Sequence, residues 1–107
     1  VEIMSWLYLV LAGLTEIGWP VGLKVAQSGH KVLGITMAVV FMAISGALLF
    51  AAQRAIPMGT AYAVWTGIGA AGTFLVGVYF YGDPTSMVRY IGIMLILSGV
   101  VMLKLGH

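Results

Sequence analysis

Cysteine is absent from the 107 residues and charge is scarce. The first absence excludes disulfides, thiolate metal sites and cysteine nucleophiles together, and leaves the redox compartment unmarked. The second excludes an ordinary soluble domain: only 7% of residues are charged, too few to cover a surface that faces water. The five basic residues, Lys24, Lys31, Arg54, Arg89 and Lys104, stand singly and make no basic stripe, so a net charge of +2 does not point to nucleic acid. His30 and His107 are isolated, no residues have metal-ligand spacing, and no Ser-His pair falls within an apolar run. Metal sites, cofactors and hydrolytic catalysis are therefore not expected, and the chain is not read as an enzyme.

What remains is apolar: 62% of the chain is hydrophobic and the mean hydropathy is +1.10. A helix crosses a hydrocarbon core of roughly 30 Å with about 20 mostly apolar residues. Charges, glycines and prolines then mark out four spans in an all-α membrane fold, a single domain over 1–107, at about 6–23, 32–52, 57–81 and 86–105. Ser5 is a plausible N-cap, Gln27 to Lys31 form a polar turn, Pro57 suits a first helical position and Gly82-Asp83-Pro84 ends the third span. The N-terminal run opens on Glu2 rather than basic residues and carries Glu16 at its centre, so it is read as a retained helix, not a signal peptide. Glu2, Asp83 and the scattered basic residues are expected as solvated helix ends.

Lys and Arg normally accumulate on the cytoplasmic side. Here the side of the termini holds Arg54 and Lys104 and the opposite side holds Lys24, Lys31 and Arg89, two against three. So small a bias predicts insertion in both orientations, against a weakly biased single topology. Four spans show no convincing internal repeat, and two oppositely inserted copies would supply the inverted symmetry that transporters use for alternating access.

Glu16 is the one acidic residue well inside a span, about 15 Å beyond Trp6 at 1.5 Å per residue. A charge at that depth costs about 2.5 to 3.5 kcal/mol on insertion scales and belongs in a bundle interior or a wet cavity. Desolvation disfavours its charged form and a bound cation favours it, so proton and cation would compete for one group. The alternative is a protonated Glu holding helices together.

Gly13 and Glu16 share a helix face, which predicts open space beside the carboxylate, with Trp19 and Pro20 on the next turn. Trp19 reads either as part of the site or as an interfacial anchor, and Pro20 either as a kink or as a tolerated terminal-turn proline. The third span is rich in glycine from Gly59 to Gly72, including Gly67 and Gly69, which serves close packing, bending or both. Tyr62 and Trp65, three apart, offer ring faces and polar tips to an organic cation, or pack in the core. Ser45, in the middle of the second span, donates either to Glu16 or back to its own helix. Gly92 and Gly99, seven apart on the last span with Ser98 alongside, form a small-residue seam suited to a dimer interface.

Gly13-Leu14-Thr15-Glu16-Ile17-Gly18-Trp19, Leu23-Lys24 and Gly59 to Gly69 together resemble the small multidrug resistance family along essentially the whole chain. The resemblance implies an antiparallel, dual-topology homodimer in the lipid bilayer of a bacterial plasma (inner) membrane, exchanging cations for protons at Glu16. Trp19 with Gly13, Ser45, Tyr62 and Trp65 is similar to the guanidinium exporter subtype, in which Ser45 and Trp19 would hydrogen-bond and orient Glu16 while Tyr62 and Trp65 line the site. Pro20 departs from the residue expected there. The alternatives are a broad quaternary-ammonium exporter, one subunit of a pair with a paralogous chain, and a non-transporting structural subunit, which would tolerate Glu16→Gln.

Overall fold

Each break between helices is made by residues suited to it. Gly29 and Gly82 are the positive-φ residues among those described, at 102° and 65°, a region that a side chain makes costly. The computed structural model describes residues 2–106, apart from the side chain of Glu2; His107 and that side chain lie outside the described residues. Between the breaks run α1 (Glu2–Glu16), α2 (Gly18–Gln27), α3 (Lys31–Ala52), α4 (Met58–Tyr81) and α5 (Met87–Leu105). With α1 and α2 taken as one segment, Ile3–Gln27, the described residues form four helical segments long and apolar enough to cross a membrane.

Several helix ends differ from expectation for local reasons. Ser5 is not a cap: α1 begins at Glu2, and Ser5 lies within it on the buried face, 5% exposed. Pro57 precedes α4 instead of opening it; its extended ψ of 142° keeps it outside the helix while its carbonyl accepts the Ala61 N–H at 2.9 Å. Ser86 caps α5, its Oγ accepting the Arg89 N–H at 3.3 Å. Lys24 falls in the last turn of α2, which runs past the expected end at Leu23. A cation there complements the negative end of the helix dipole.

The first span is broken at Ile17, one residue after Glu16. Pro20 explains the place. In an unbroken helix the Glu16 carbonyl would accept the N–H of residue 20, and proline has none to give. The ladder shortens there to an Ile17 N–H to Leu14 carbonyl bond of 3.3 Å, and resumes from the Val21 N–H to the Ile17 carbonyl at 3.4 Å. Pro20 thus interrupts the hydrogen-bond ladder inside the span, while Ile17 keeps helical backbone angles of −61° and −31°.

Packing runs α2 on α3, α1 on α3 and α1 on α4, with α5 lying along α4. Lipid supplies no hydrophobic drive between helices, so close approach of backbones must hold them. Gly22 and Gly34 provide it: a Cβ on Gly22 would lie 2.7 Å from both the Ala38 nitrogen and the Gly34 carbonyl oxygen. Gly67 likewise receives Val100 of α5, whose Cγ2 would be 2.7 Å from a Cβ there. Leu9, Ile56 and Val64 are buried in a cluster with Trp6 near the terminal end of the bundle. No residue of α5 is fully buried: Val100 packs inward against the cluster, while Met94, Leu95, Val101 and Met102 are exposed.

The glycine seam is directly testable. Gly34→Ala sets a methyl against the backbone of Ala26, which cannot yield, and is expected to destabilise the protein by about 1 to 3 kcal/mol in reversible unfolding from mixed micelles. Gly46→Ala, on the same helix where a Cβ meets nothing within 4 Å, should be neutral or stabilising through its better helix propensity.

Candidate functional site

Glu16 is the last residue of α1 and lies near the middle of the first span, 13 residues after Ile3 and 11 before Gln27. Its half-buried side chain reaches toward α3 and α4. On the α4 side the space is made by Gly69, where a Cβ would come 2.8 Å from the Glu16 Cγ and 3.2 Å from its Cβ. Gly13 does not leave open space beside the carboxylate as expected. Ile68 of α4 fills it, at 2.7 Å from where a Gly13 Cβ would be, because α1 and α4 close on each other at this turn. Gly69 thus makes the room, and Gly13 makes the approach.

On the α3 side stands Ser45, fully buried. Its Oγ lies 2.7 Å from the Ala12 carbonyl oxygen and 3.2 Å from Glu16 Oε1, and it accepts the Trp65 indole N–H at 2.8 Å. It does not bond back to its own helix. A hydroxyl has one proton, so Ser45 donates either to Ala12 or to Glu16 while its lone pair holds the indole. Trp65 is thereby fixed one hydrogen bond away from the carboxylate. Tyr62, 56% exposed, joins through its ring, tilted 59° to that of Trp65 with centroids 5.4 Å apart.

A cavity of about 280 Å³ opens on the other side of Glu16. Glu16, Trp19 and Pro20 form one wall and Thr66, Gly69, Ala70 and Thr73 of α4 the other. Among the described residues no other charged side chain lines it. Trp19 lines this cavity and also flanks the groove between α2 and α3. Among the described residues no hydrogen bond joins Trp19 to Glu16. Gly67 lies on α4 two residues from Gly69 but packs against α5 and does not touch the site. Gly92 and Gly99 are remote from it, on α5, where a Cβ at either would meet nothing within 4 Å.

The Thr66 and Thr73 wall was overlooked in the sequence, although its signal is there: Tyr62, Thr66, Gly69, Ala70 and Thr73 fall on one face at helical spacing. Both hydroxyl residues sit among small ones on that face. The partner of Ser45, the Ala12 carbonyl, leaves no such signal, because any residue at position 12 would supply it.

Ser45→Ala leaves the Trp65 N–H without its acceptor and is expected to cost about 1 to 3 kcal/mol of stability. In a Trp65→Phe background the same change should cost less by about 1 kcal/mol, read as the coupling energy of a double-mutant cycle in mixed micelles.

Residues 4–96 match the family model described as Small Multidrug Resistance protein. The chain is 44% identical over 103 residues to a protein named guanidinium exporter from Yersinia pseudotuberculosis serotype I (strain IP32953), covering 96% of this chain and 99% of that one. Proteins of the same name from Salmonella typhimurium and Escherichia coli (strain K12) are 42% and 43% identical, each over 96% of this chain and 98% of their own length. Matches of this length, on a fold of four membrane-crossing helices, make the chain a member of the small multidrug resistance family, a group of multi-pass transporters, not enzymes, of the bacterial inner membrane.

Proposed function

We propose that this chain exports guanidinium or small guanidinyl cations in exchange for protons, the two competing for Glu16. The observation that carries the reading is a single carboxylate at mid-span, in a cavity that holds no basic partner for it. The names of the full-length relatives support the cation class. A planar guanidinium presents paired N–H donors that a carboxylate accepts side by side, and the ring faces of Trp19 and the hydroxyls of Thr66 and Thr73 offer it further contacts.

Ser45 couples this exchange to the surrounding helices. When Glu16 is ionised, the Ser45 O–H is drawn to Oε1 in a charge-assisted bond. When Glu16 carries a proton, the hydroxyl turns to the Ala12 carbonyl, its shorter contact here at 2.7 Å. The Trp65 indole holds the Ser45 oxygen in either state, so loading the carboxylate redirects one hydrogen bond without orphaning the other. The break at Ile17 supplies a flexible joint beside the loaded group, and the glycines of α4 supply a bendable facing helix.

Two copies inserted in opposite directions complete the transporter in this reading. Gly92 and Gly99 are open on a helix with no buried residue, which suits association of α5 with a second α5, and the even charge balance removes the bias that would fix one orientation. A homodimer of this kind presents the same site alternately to the two sides of the membrane.

Adding guanidinium to weakly buffered, purified protein in detergent is expected to release protons in a saturable way, and Glu16→Gln should release none. Release by tetraalkylammonium ions as well would move the reading to a broad cation exporter. No release by either cation would overturn exchange by this chain alone. Dual orientation has its own test, made simple by the absence of native cysteine. A single Ser28→Cys, in the loop between α2 and α3, should be labelled to about half by an impermeant thiol reagent outside intact cells, and labelling near zero or near completion would mean one fixed topology.

A further inference from the structure

A second cavity, of about 130 Å³, lies at the end of α2 and α4 away from the termini. Pro20 and Thr73 line both this cavity and the one beside Glu16, so the two share a wall. Its polar side chains are Lys24, Thr73, Tyr81 and Asp83. Local sequence puts Asp83 there. Gly82 takes the left-handed conformation at the end of α4, and the Asp83 N–H returns to the Gly77 carbonyl at 3.0 Å, folding the chain back over the last turn. The carboxylate then rests against the bare backbone of Gly77, in space that any side chain at 77 would occupy.

The facing cation is the chain's own. Lys24 Nζ stands 5.8 Å from the centroid of the Tyr81 ring, at the distance of a cation–π contact. Yet among the described residues it makes no ion pair with Asp83. The cavity therefore holds an aromatic face already turned to a cation and a carboxylate still open to another. A guanidinium group is planar and weakly hydrated, stacks on aromatic faces and pairs with carboxylates along its edge. An ammonium on a flexible, exposed stem holds such a place less firmly.

We propose that this cavity is a second, weak site for guanidinium-type cations, with the Tyr81 ring on the face of the cation, the Asp83 carboxylate on its edge, and Lys24 as the resident competitor. It deepens the reading of Glu16 as the central site and rests on it, for it gives the cation a stopping point on the way between the Glu16 cavity and the surface. Weakness suits that role, since a site along a path must release its ion as readily as it takes it. In an oppositely oriented pair, one copy of the site faces each side of the membrane.

The site is tested in protein that lacks the central carboxylate. Guanidinium chloride titrated into ¹⁵N-labelled Glu16→Gln protein in detergent is expected to shift the amides of Gly77, Tyr81 and Asp83 saturably, with equal sodium chloride as the control. Adding Asp83→Asn, which keeps the backbone cap, should abolish the saturable shifts. Adding Lys24→Gln should lower the midpoint about threefold, the effect of removing one like charge about 6 Å away in water. Shifts that are absent, that sodium chloride reproduces, that survive Asp83→Asn, or a midpoint that Lys24→Gln leaves unchanged or raises would overturn the proposal. Failure of the central reading shows elsewhere, as a native protein that releases no proton to guanidinium.

Discussion

In hydrocarbon a polar group is stable only where the same bundle completes its hydrogen bonds, and Ser45 is the point at which this chain meets that demand. One hydroxyl on α3 takes the indole proton of Trp65 from α4 and has its own proton to give to α1, at either Ala12 or Glu16. Three helices thus converge on one oxygen that water cannot reach. Because the hydroxyl is both donor and acceptor, it fixes the direction of the whole chain of bonds: Trp65 can only donate, the Ala12 carbonyl can only accept, and Glu16 is the one member with an ionisable side chain. The position of the aromatic wall therefore follows from the same oxygen that answers to the carboxylate.

That arrangement requires backbones close enough for short side chains to span them. Glycine pays in helix propensity, about 1 kcal/mol against alanine at each position, and is repaid only where another element comes near. At Gly22, Gly34, Gly13 and Gly69 it does. The glycines of α5 differ, since Gly92 and Gly99 face nothing within the chain. The molecule divides accordingly into a body of α1 to α4 that builds the candidate site and an outer helix, α5, whose glycines meet nothing within 4 Å.

The four spans were legible because the membrane imposes their length and because each stop uses a residue with a distinct backbone habit, Gly29 and Gly82 above all. Glu16 was legible because one acidic residue in an apolar span has no solvent to excuse it. What could not be read was which glycine serves which neighbour. Gly13 lies on the same face as Glu16, yet tertiary approach puts Ile68 there and gives the space to Gly69 on another helix. Periodicity reports faces, and only packing decides what a face meets. The Gly18, Gly22, Ala26 spacing on α2 and the Gly34, Ala38 pair on α3 did carry the small-residue signal of their crossing, a signal read only on the third and last spans. Pro20 was ambiguous for a different reason. A proline in a terminal turn and one that breaks a span look alike until the helix is seen to continue past it, to Gln27.

In the proposed exchange, the same constraint makes coupling, not leakage, follow from a lone carboxylate at mid-span. An ionised Glu16 with no cation beside it is an uncompensated charge within the bundle, where such a charge is costly. A rearrangement that carries the empty, charged group from one side to the other bears that cost, or more, at its driest point. With a proton bound the group is neutral, and with a guanidinium bound it is paired, so either loaded form crosses without it. The Ser45 hydroxyl softens the penalty for the charged form only while it stays within reach of Oε1, and in turning to Ala12 it withdraws that help. Coupling in this scheme needs no second titrating residue. It needs one carboxylate, a hydroxyl that serves it conditionally, and the absence of any basic side chain in the cavity that would neutralise the carboxylate permanently.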